Sequence, residues 1–226
     1  MLAYRLNKPP TMINQIVVAI FSTIILGMNT SGLIMPEKKN IVLSEKEFSL
    51  ENRYAVTSVN EIMKKNILLN LAYLNGTVAK KADIDWDQVV SPFHFDKTLG
   101  VGETFAYHTT VRDEFTAKVA FTSNSSFNAA DGYLSDGYLF GDGVCHLASL
   151  INWAALEAGL ETVVPKDHRS VAHIPDIPDD YGVSIYKNGN IGENNNLYIT
   201  NTKDKPVTLH FEYDGVNLKV SVTEAA

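Results

Sequence analysis

The chain has 226 residues, of which 45% are hydrophobic and 20% charged, and its formal net charge is −7 at pH 7. This composition predicts a globular protein with a packed core. The sequence has no cluster of Lys and Arg, which together with the negative charge argues against binding nucleic acid or an anionic membrane surface through a basic patch.

The N-terminal segment is apolar and free of charge between Lys8 and Glu37, with the centre "IVVAIFSTIILGM" at residues 16–28. Arg5 and Lys8 precede it, which is the charge pattern of a secretory signal or of an anchor with its N-terminus inside. We predict that residues 1–35 are a signal peptide or a single-pass anchor; cleavage and retention both stay open, and a buried core helix is the weaker alternative. Either interpretation places residues 40–226 outside the cytoplasm, on the outer side of the membrane.

The next segment, 36–56, is polar and mixed in charge, and it is interpreted as a tether that has room for a short strand or a helical turn. A domain over 57–226 follows, and it begins with an amphipathic helix over 58–76. Ser58 with Glu61 predicts a capping box at the start of this helix, and Gly76 predicts its end. Residues 77–102 follow no single period, so they are expected to form a surface excursion.

A strand is predicted at "ETFAYHTTV", followed by a loop with Asp-Gly pairs at Asp131, Asp136 and Asp142. Such pairs are typical of tight turns. A calcium site is the weaker alternative, because the spacing of an EF-hand loop is missing. The second main helix begins at Val144–Cys145 and ends at Gly159, and the C-terminal third alternates as strands with a hairpin signal at Asp214-Gly215.

These elements predict an α+β fold, in which two main helices pack on a mostly antiparallel sheet after the N-terminal signal or anchor helix. Within the second helix, one face carries the apolar residues that are expected to pack on the sheet. Cys145, Ser149 and Asn152 form a separate, more polar stripe at i, i+4, i+7 spacing. A cysteine on this stripe is expected to line a cleft at the start of the helix.

Cys145 is the only cysteine of the chain. A thiol at a helix N-terminus tends to have a lowered pKa, and the backbone of Gly141 and Gly143 can approach a substrate closely and offer amides to an oxyanion. A nucleophilic role also needs a base. His146 is adjacent in sequence and points about 100° away on a helix, so His168 is the first choice of base.

His173 is the second choice, and Asp180 is the candidate acid that would orient the imidazole. Two other interpretations stay open. Free cysteine often packs as a small buried apolar side chain. A metal site of Cys145 and His146 with His168 or His173 lacks the usual spacing of zinc ligands. No metal and no cofactor are expected.

Three stretches together resemble the VanW-like family: "NILLNLAYLNGTV", "GETFAYHTTV" and "GDGVCHLASLINWAALEAGL". The resemblance extends from about Asn66 to Val222. Four positions depart from the family pattern, since Asp142 replaces a glycine, His146 a glutamine, His108 an asparagine and His173 a tyrosine.

The resemblance implies a bacterial cell-envelope protein, related to one first named from a vancomycin-resistance gene cluster and often joined to peptidoglycan-binding modules. Five positions match the family pattern: Gly141, Gly143, Cys145, Ser149 and His168. The resemblance also places Asp180 in a further segment of that pattern. The expected function is a thiol enzyme on peptidoglycan peptides, by acyl transfer or amide hydrolysis, with Cys145, His168 and Asp180 as catalytic residues.

Six other positions are expected to contribute to binding of the peptide: Gly141, Gly143, His146, Ser149, His108 and His173. The alternative is a non-catalytic cell-wall-binding or structural domain with a buried cysteine. Expected partners are a cell-wall peptide or another peptidoglycan component, and the membrane through the N-terminal segment, with no nucleic acid.

Overall fold

The computed structural model describes residues 40–138, 140–169, 172–186 and 195–226. Eight strands lie in these ranges: β1 Ile41–Ser49, β2 Phe93–Leu99, β3 Thr104–Ala106, β4 Val119–Thr122, β5 Glu161–Val163, β6 Tyr198–Thr200, β7 Val207–Tyr213 and β8 Asn217–Glu224. The α-helices are α1 Thr57–Asn75, α2 Trp86–Val89, α3 Asp113–Thr116 and α4 Val144–Glu157. The predicted α+β class and its two main helices, α1 and α4, are confirmed.

The strands form two sheets rather than the single sheet that was predicted. The first sheet has the order β1-β8-β7-β2 and is antiparallel throughout. The second has the order β4-β3-β6-β5, with β3 and β4 as its parallel pair. Helix α4 contacts β1 and β8 of the first sheet and β5 of the second. The apolar side chains of the two helices and of both sheets meet in one buried cluster.

The segment interpreted as a tether contains a strand of 9 residues, longer than the short strand that this interpretation allowed. Strand β1 pairs with β8 from Ile41 opposite Glu224 to Ser49 opposite Asn217. Phe48 and Leu50 are buried in the core. Only one side of β1 is paired, and its centre carries the consecutive charged residues Glu45, Lys46 and Glu47. The sequence of this edge strand therefore resembles that of a polar linker.

The predicted surface excursion over 77–102 is also corrected. It contains α2 and β2, and β2 pairs along its whole length with β7, from Phe93 opposite Tyr213 to Leu99 opposite Val207. Phe95 stacks on Phe211 of the neighbouring strand, with 4.9 Å between the ring centroids. A strand whose outer face is polar and whose neighbour is far away in sequence gives little local signal.

The ends of the two main helices agree with the sequence only in part. Gly76 adopts a left-handed conformation (φ +90°), and its amide closes α1 on the carbonyls of Ala72 and Tyr73. The predicted capping box is wrong, because Val56 precedes the helix and no side chain caps it. Helix α4 begins at Val144, as predicted.

Among the described residues, no helix combines the length and apolarity needed to cross a bilayer. The predicted signal or anchor segment, residues 1–35, lies outside them.

Candidate functional site

The polar stripe of α4 holds the backbone of residues 181–186, a segment that becomes extended at Gly182 after a short 3₁₀ helix at Asp179–Tyr181. Asn152 Nδ2 donates to the carbonyl of Tyr181 at 3.0 Å. The amide of Val183 donates to Ser149 Oγ at 2.8 Å, and the amide of Ile185 donates to Cys145 Sγ at 3.3 Å. Side chains one turn apart on a helix face therefore match every second residue of an extended chain. The stripe takes the place of a neighbouring strand.

The other side of this segment pairs with residues 166–168. The amide of Ser184 donates to the carbonyl of Lys166 at 3.0 Å, and the amide of His168 donates to the carbonyl of Gly182 at 3.2 Å. The sequence predicted strands through the C-terminal third, but in this segment only single bridges occur, between Asp167 and Val183 and between Tyr186 and Asn195. The prediction fails because helix side chains supply half of the segment's partners.

Cys145 is fixed by this packing. Its Sγ lies 3.6 Å from the carbonyl oxygen of Ile185, to which the thiol donates, and it accepts the amide of the same residue. Burial raises the pKa of the Cys145 thiol to about 11, despite the hydrogen bond from Ile185. The expectation of a lowered thiol pKa is therefore wrong for this arrangement, because desolvation outweighs the effect of the helix N-terminus.

The turn before α4 requires both of its predicted glycines. Gly141 and Gly143 have φ of +83° and +97°. A Cβ at Gly143 would lie 2.7 Å from the carbonyl oxygen of Met63 in α1, and one at Gly141 would lie 2.9 Å from that of Phe127. The glycines thus let the loop press against α1 and against Phe127. They also bring the start of α4 to the surface of a cleft.

This cleft has a volume of about 270 Å³. Its walls carry the predicted Gly141, Gly143, Cys145, His146 and His168, so the prediction that Cys145 lines a cleft at the helix start is confirmed. Sequence reasoning missed the rest of the lining, which is mostly apolar: Met63, Ser126, Phe127, Phe140, Asp142, Val144, Ile185 and Tyr186. Phe140 and Tyr186 are 53% and 47% exposed and form its outer rim.

The loop that supplies Asp142 is held from α1. Asn66 Nδ2 donates to the carbonyls of Leu134 and Asp142 at 3.1 and 3.0 Å, and Asn66 Oδ1 accepts the amide of Leu134. One turn later, Asn70 Nδ2 donates to Ser125 Oγ and to the Tyr133 hydroxyl. Two asparagines at i, i+4 spacing on an otherwise apolar helix face are the signal from which this support could have been predicted.

The two histidines of the cleft have different surroundings. His146 is 7% exposed, and burial lowers its pKa to about 3, so its imidazole is neutral. Its ring lies edge-on to that of His168, with 6.4 Å between the centroids. His168 Nδ1 lies 2.8 Å from the carbonyl oxygen of Ala172. A carbonyl oxygen only accepts hydrogen bonds, so Nδ1 of His168 donates to it.

The other predicted residues lie outside the cleft lining. Asp180 is exposed and pairs with Arg169, at 3.1 Å from Nη1, rather than with a histidine. His173 is exposed and bonds to Asp179 at 2.8 Å. The Ala172 carbonyl thus occupies the orienting place that was predicted for Asp180.

His108 is fully buried and organises backbone near β3. Its Nδ1 accepts the amide of Thr110, so its Nε2 donates to the carbonyl of Asn195 at 3.1 Å. Its own amide donates to Asn196 Oδ1. A buried imidazole with both ring nitrogens bonded to backbone acts as a structural link.

A buried cation holds the loop that contains His173. Arg53 is 1% exposed, donates to the carbonyl of Pro175 at 2.9 Å and pairs with Asp176. Its guanidinium also lies 4.0 Å from the ring centroid of Phe48. Burial lowers the pKa of Arg53, and Asp176 opposes that shift. This clamp joins the N-terminal strand to the chain that follows His168.

Across residues 40–138, 140–169, 172–186 and 195–226, no three His, Cys, Asp or Glu side chains group so as to hold a metal ion.

The profile of a family described as VanW like protein matches residues 94–223 of the chain. The match spans more than half of the 226 residues. It includes all of α4 and of β3 to β7, and all but one residue of β2 and of β8. It confirms the family resemblance predicted from the motifs. No curated protein and no solved structure matches the chain.

Proposed function

Because the chain belongs to the VanW-like family, we propose that it is an extracytoplasmic cell-envelope protein whose cleft binds a peptide component of peptidoglycan without covalent chemistry at Cys145. The observation that carries the non-catalytic assignment is the bonding of the thiol. Cys145 Sγ accepts the amide of Ile185 and donates to its carbonyl. A sulfur engaged in this way joins α4 to the 181–186 segment.

The electrostatics of the thiol support the same assignment. A pKa of about 11 leaves only a small fraction as thiolate at neutral pH, and the thiolate is the nucleophilic form. The residue expected to orient the base, Asp180, pairs with Arg169 instead.

The composition of the cleft supports binding. Binding sites for small ligands are concave and mostly apolar, with a few polar groups that fix orientation. Here the apolar wall includes Met63, Phe127 and Ile185, and the polar groups include Asp142 and the two histidines. The rim residues Phe140 and Tyr186 add exposed aromatic surface of the type that often supplies binding energy.

Co-sedimentation with purified, insoluble peptidoglycan tests the binding function. The full chain should pellet with peptidoglycan, and Phe140→Ala should weaken this by roughly tenfold if the side chain is a binding hot spot. Tyr54→Ala is the matched control, because Tyr54 is equally exposed at 53% and lies outside the cleft. Binding by Phe140→Ala that equals that of the control would contradict the proposed use of the cleft.

The location proposal has its own test. A C-terminal reporter that is active only outside the cytoplasm, fused after Ala226, should be active because of the charge pattern around residues 1–35. Activity of only a cytoplasmic reporter in the same position would contradict the location.

A thiol enzyme is the second candidate, and one observation favours it. Cys145, His146 and His168 line the same cleft, which places the thiol and two imidazoles in one site. Catalysis would require the thiol to be released from Ile185. Release of new amines from peptidoglycan by the wild-type chain, lost in Cys145→Ala, would favour the enzyme over the binding protein.

A further inference from the structure

Two polar atoms of the cleft have no hydrogen-bond partner although they are buried. One is Oδ2 of Asp142, and the other is Nδ1 of His146. Buried polar atoms normally have partners, and an exception needs an explanation. Both residues line the same cleft, and only 7% of the surface of His146 is exposed. A ligand in the cleft would supply the missing partners.

The start of α4 adds donors beside these atoms. The first amides of a helix have no acceptor within the helix. The amide of Val144 is occupied by the carbonyl of Gly141, which leaves the amides of Cys145 and His146, two lining residues of the cleft, without a carbonyl acceptor in the helix. They carry the partial positive charge of the helix N-terminus, which suits a carbonyl oxygen.

The charges of the cleft disfavour an ionic ligand of either sign. None of the described lining residues is Lys or Arg, and Asp142 contributes a carboxyl group. Asp142 has a raised pKa because of burial and of the neighbouring Asp136, so further negative charge is unfavourable there. The helix N-terminus opposes a cation in the same space.

We infer that the cleft recognises an uncharged amide group of a peptide, whose carbonyl accepts from the α4 amides and whose N–H donates to Asp142 or His146. An amide supplies one acceptor and one donor, which a neutral imidazole and an unpartnered carboxyl oxygen can match. A terminal carboxylate supplies acceptors only, and it would lie against Asp142. This inference rests on the proposed function and names the chemical group that is bound.

Calorimetric titration of the full chain with paired probes tests it. The probes are acetyl-D-Ala-D-Ala with a carboxamide end and the same dipeptide with a free carboxylate. The carboxamide should bind roughly tenfold more tightly, since like charges brought together at an interface are costly. Equal or tighter binding of the carboxylate would overturn the inference.

The variant Asp142→Asn sharpens the result. It keeps the shape of the side chain and removes the charge, so the carboxylate probe should gain affinity severalfold. Asp204→Asn, at an exposed position outside the cleft, is the control. A urea midpoint equal to that of the wild type would show that Asp142→Asn remains folded. An unchanged preference in a folded Asp142→Asn would contradict the role of Asp142.

The peptidoglycan assay separates the two proposals. A chain that pellets with peptidoglycan through the Phe140 rim but shows no preference for the carboxamide contradicts the inference and leaves the binding function standing. A chain that binds neither peptidoglycan nor either probe contradicts both.

Discussion

Replacing Ser149 by alanine removes the hydrogen-bond acceptor on which the 181–186 segment depends most directly. Ser149 and Val183 are both fully buried, and the amide of Val183 lies 2.8 Å from Ser149 Oγ. In Ser149→Ala this amide has no partner and no access to water. An unsatisfied buried group costs about 1–3 kcal/mol, while alanine's higher helix propensity returns roughly 0.5 kcal/mol.

The net expectation is a loss of about 0.5–2.5 kcal/mol in the free energy of unfolding. Urea denaturation followed by circular dichroism measures this loss, and hydrogen exchange at the amide of Val183 should be faster in the variant. Ser58→Ala is the matched control, since it makes the same substitution at an exposed position in α1. If Ser149→Ala unfolds at the same urea concentration as Ser58→Ala, the side chain does not hold the segment and the argument fails.

Three further predictions follow from the residues around the cleft. Alkylation of Cys145 by iodoacetamide near neutral pH should be much slower in the folded chain than in concentrated urea, because a pKa of about 11 against the ordinary 9.0 leaves roughly 100-fold less thiolate. Rapid reaction in the folded chain at neutral pH would contradict a fixed thiol. The pKa of His146 in the folded chain is about 3, below its ordinary value of 6.5. Between these two pH values the unfolded chain binds the proton and the folded chain does not. The free energy of unfolding should therefore fall as the pH drops from 6.5 to about 3, by at most about 5 kcal/mol. His146→Gln should flatten this dependence in acid-titration melts, whereas His94→Gln, at an exposed position, should not. Gly143→Ala should cost at least about 2 kcal/mol, because it meets both a positive φ and a close backbone contact; a thermal midpoint equal to that of the wild type would show that the turn can relax.

The sequence predicted the parts of the fold that depend on local patterns. Helix α4 was predicted from the helical period of its apolar residues. The end of α1 at Gly76 was predicted because this glycine directly follows the last apolar residues of that helix. The hairpin at Asp214-Gly215 was also predicted, and Asp214 Oδ1 accepts the amides of Val216 and Asn217 there. Each of these depends on residues within one or two turns of each other, which a single sequence records directly.

Pairings between distant segments were not predictable in the same way. Strand β1 depends on β8 at the other end of the domain, and its exposed charges made it resemble a linker. The division into two sheets has the same origin, since it depends on which strands pair and not on where strands occur.

Helix α4 at the candidate site has one feature that could be predicted from the sequence and one that could not. Polarity at Cys145, Ser149 and Asn152 correctly distinguished this stripe from the apolar face, but the sequence did not show what the stripe contacts. Its partners are backbone groups of Tyr181, Val183 and Ile185, and backbone groups carry no sequence signal. The same reason explains why the Ala172 carbonyl beside His168 was missed in favour of a nearby carboxylate.

The adjacency of β1 and β8 has a mechanical consequence. Ile41 lies opposite Glu224, so the chain enters and leaves the described domain at one corner of the first sheet. A pulling force applied between these two points would act across the strands and load the hydrogen bonds of this pair one after another. Antiparallel strands that open in this way separate like a zipper, whereas a pull along the strands would load the whole ladder at once. Strand β1 would therefore be the first element to peel away, and the core beneath Phe48 and Leu50 would be exposed next.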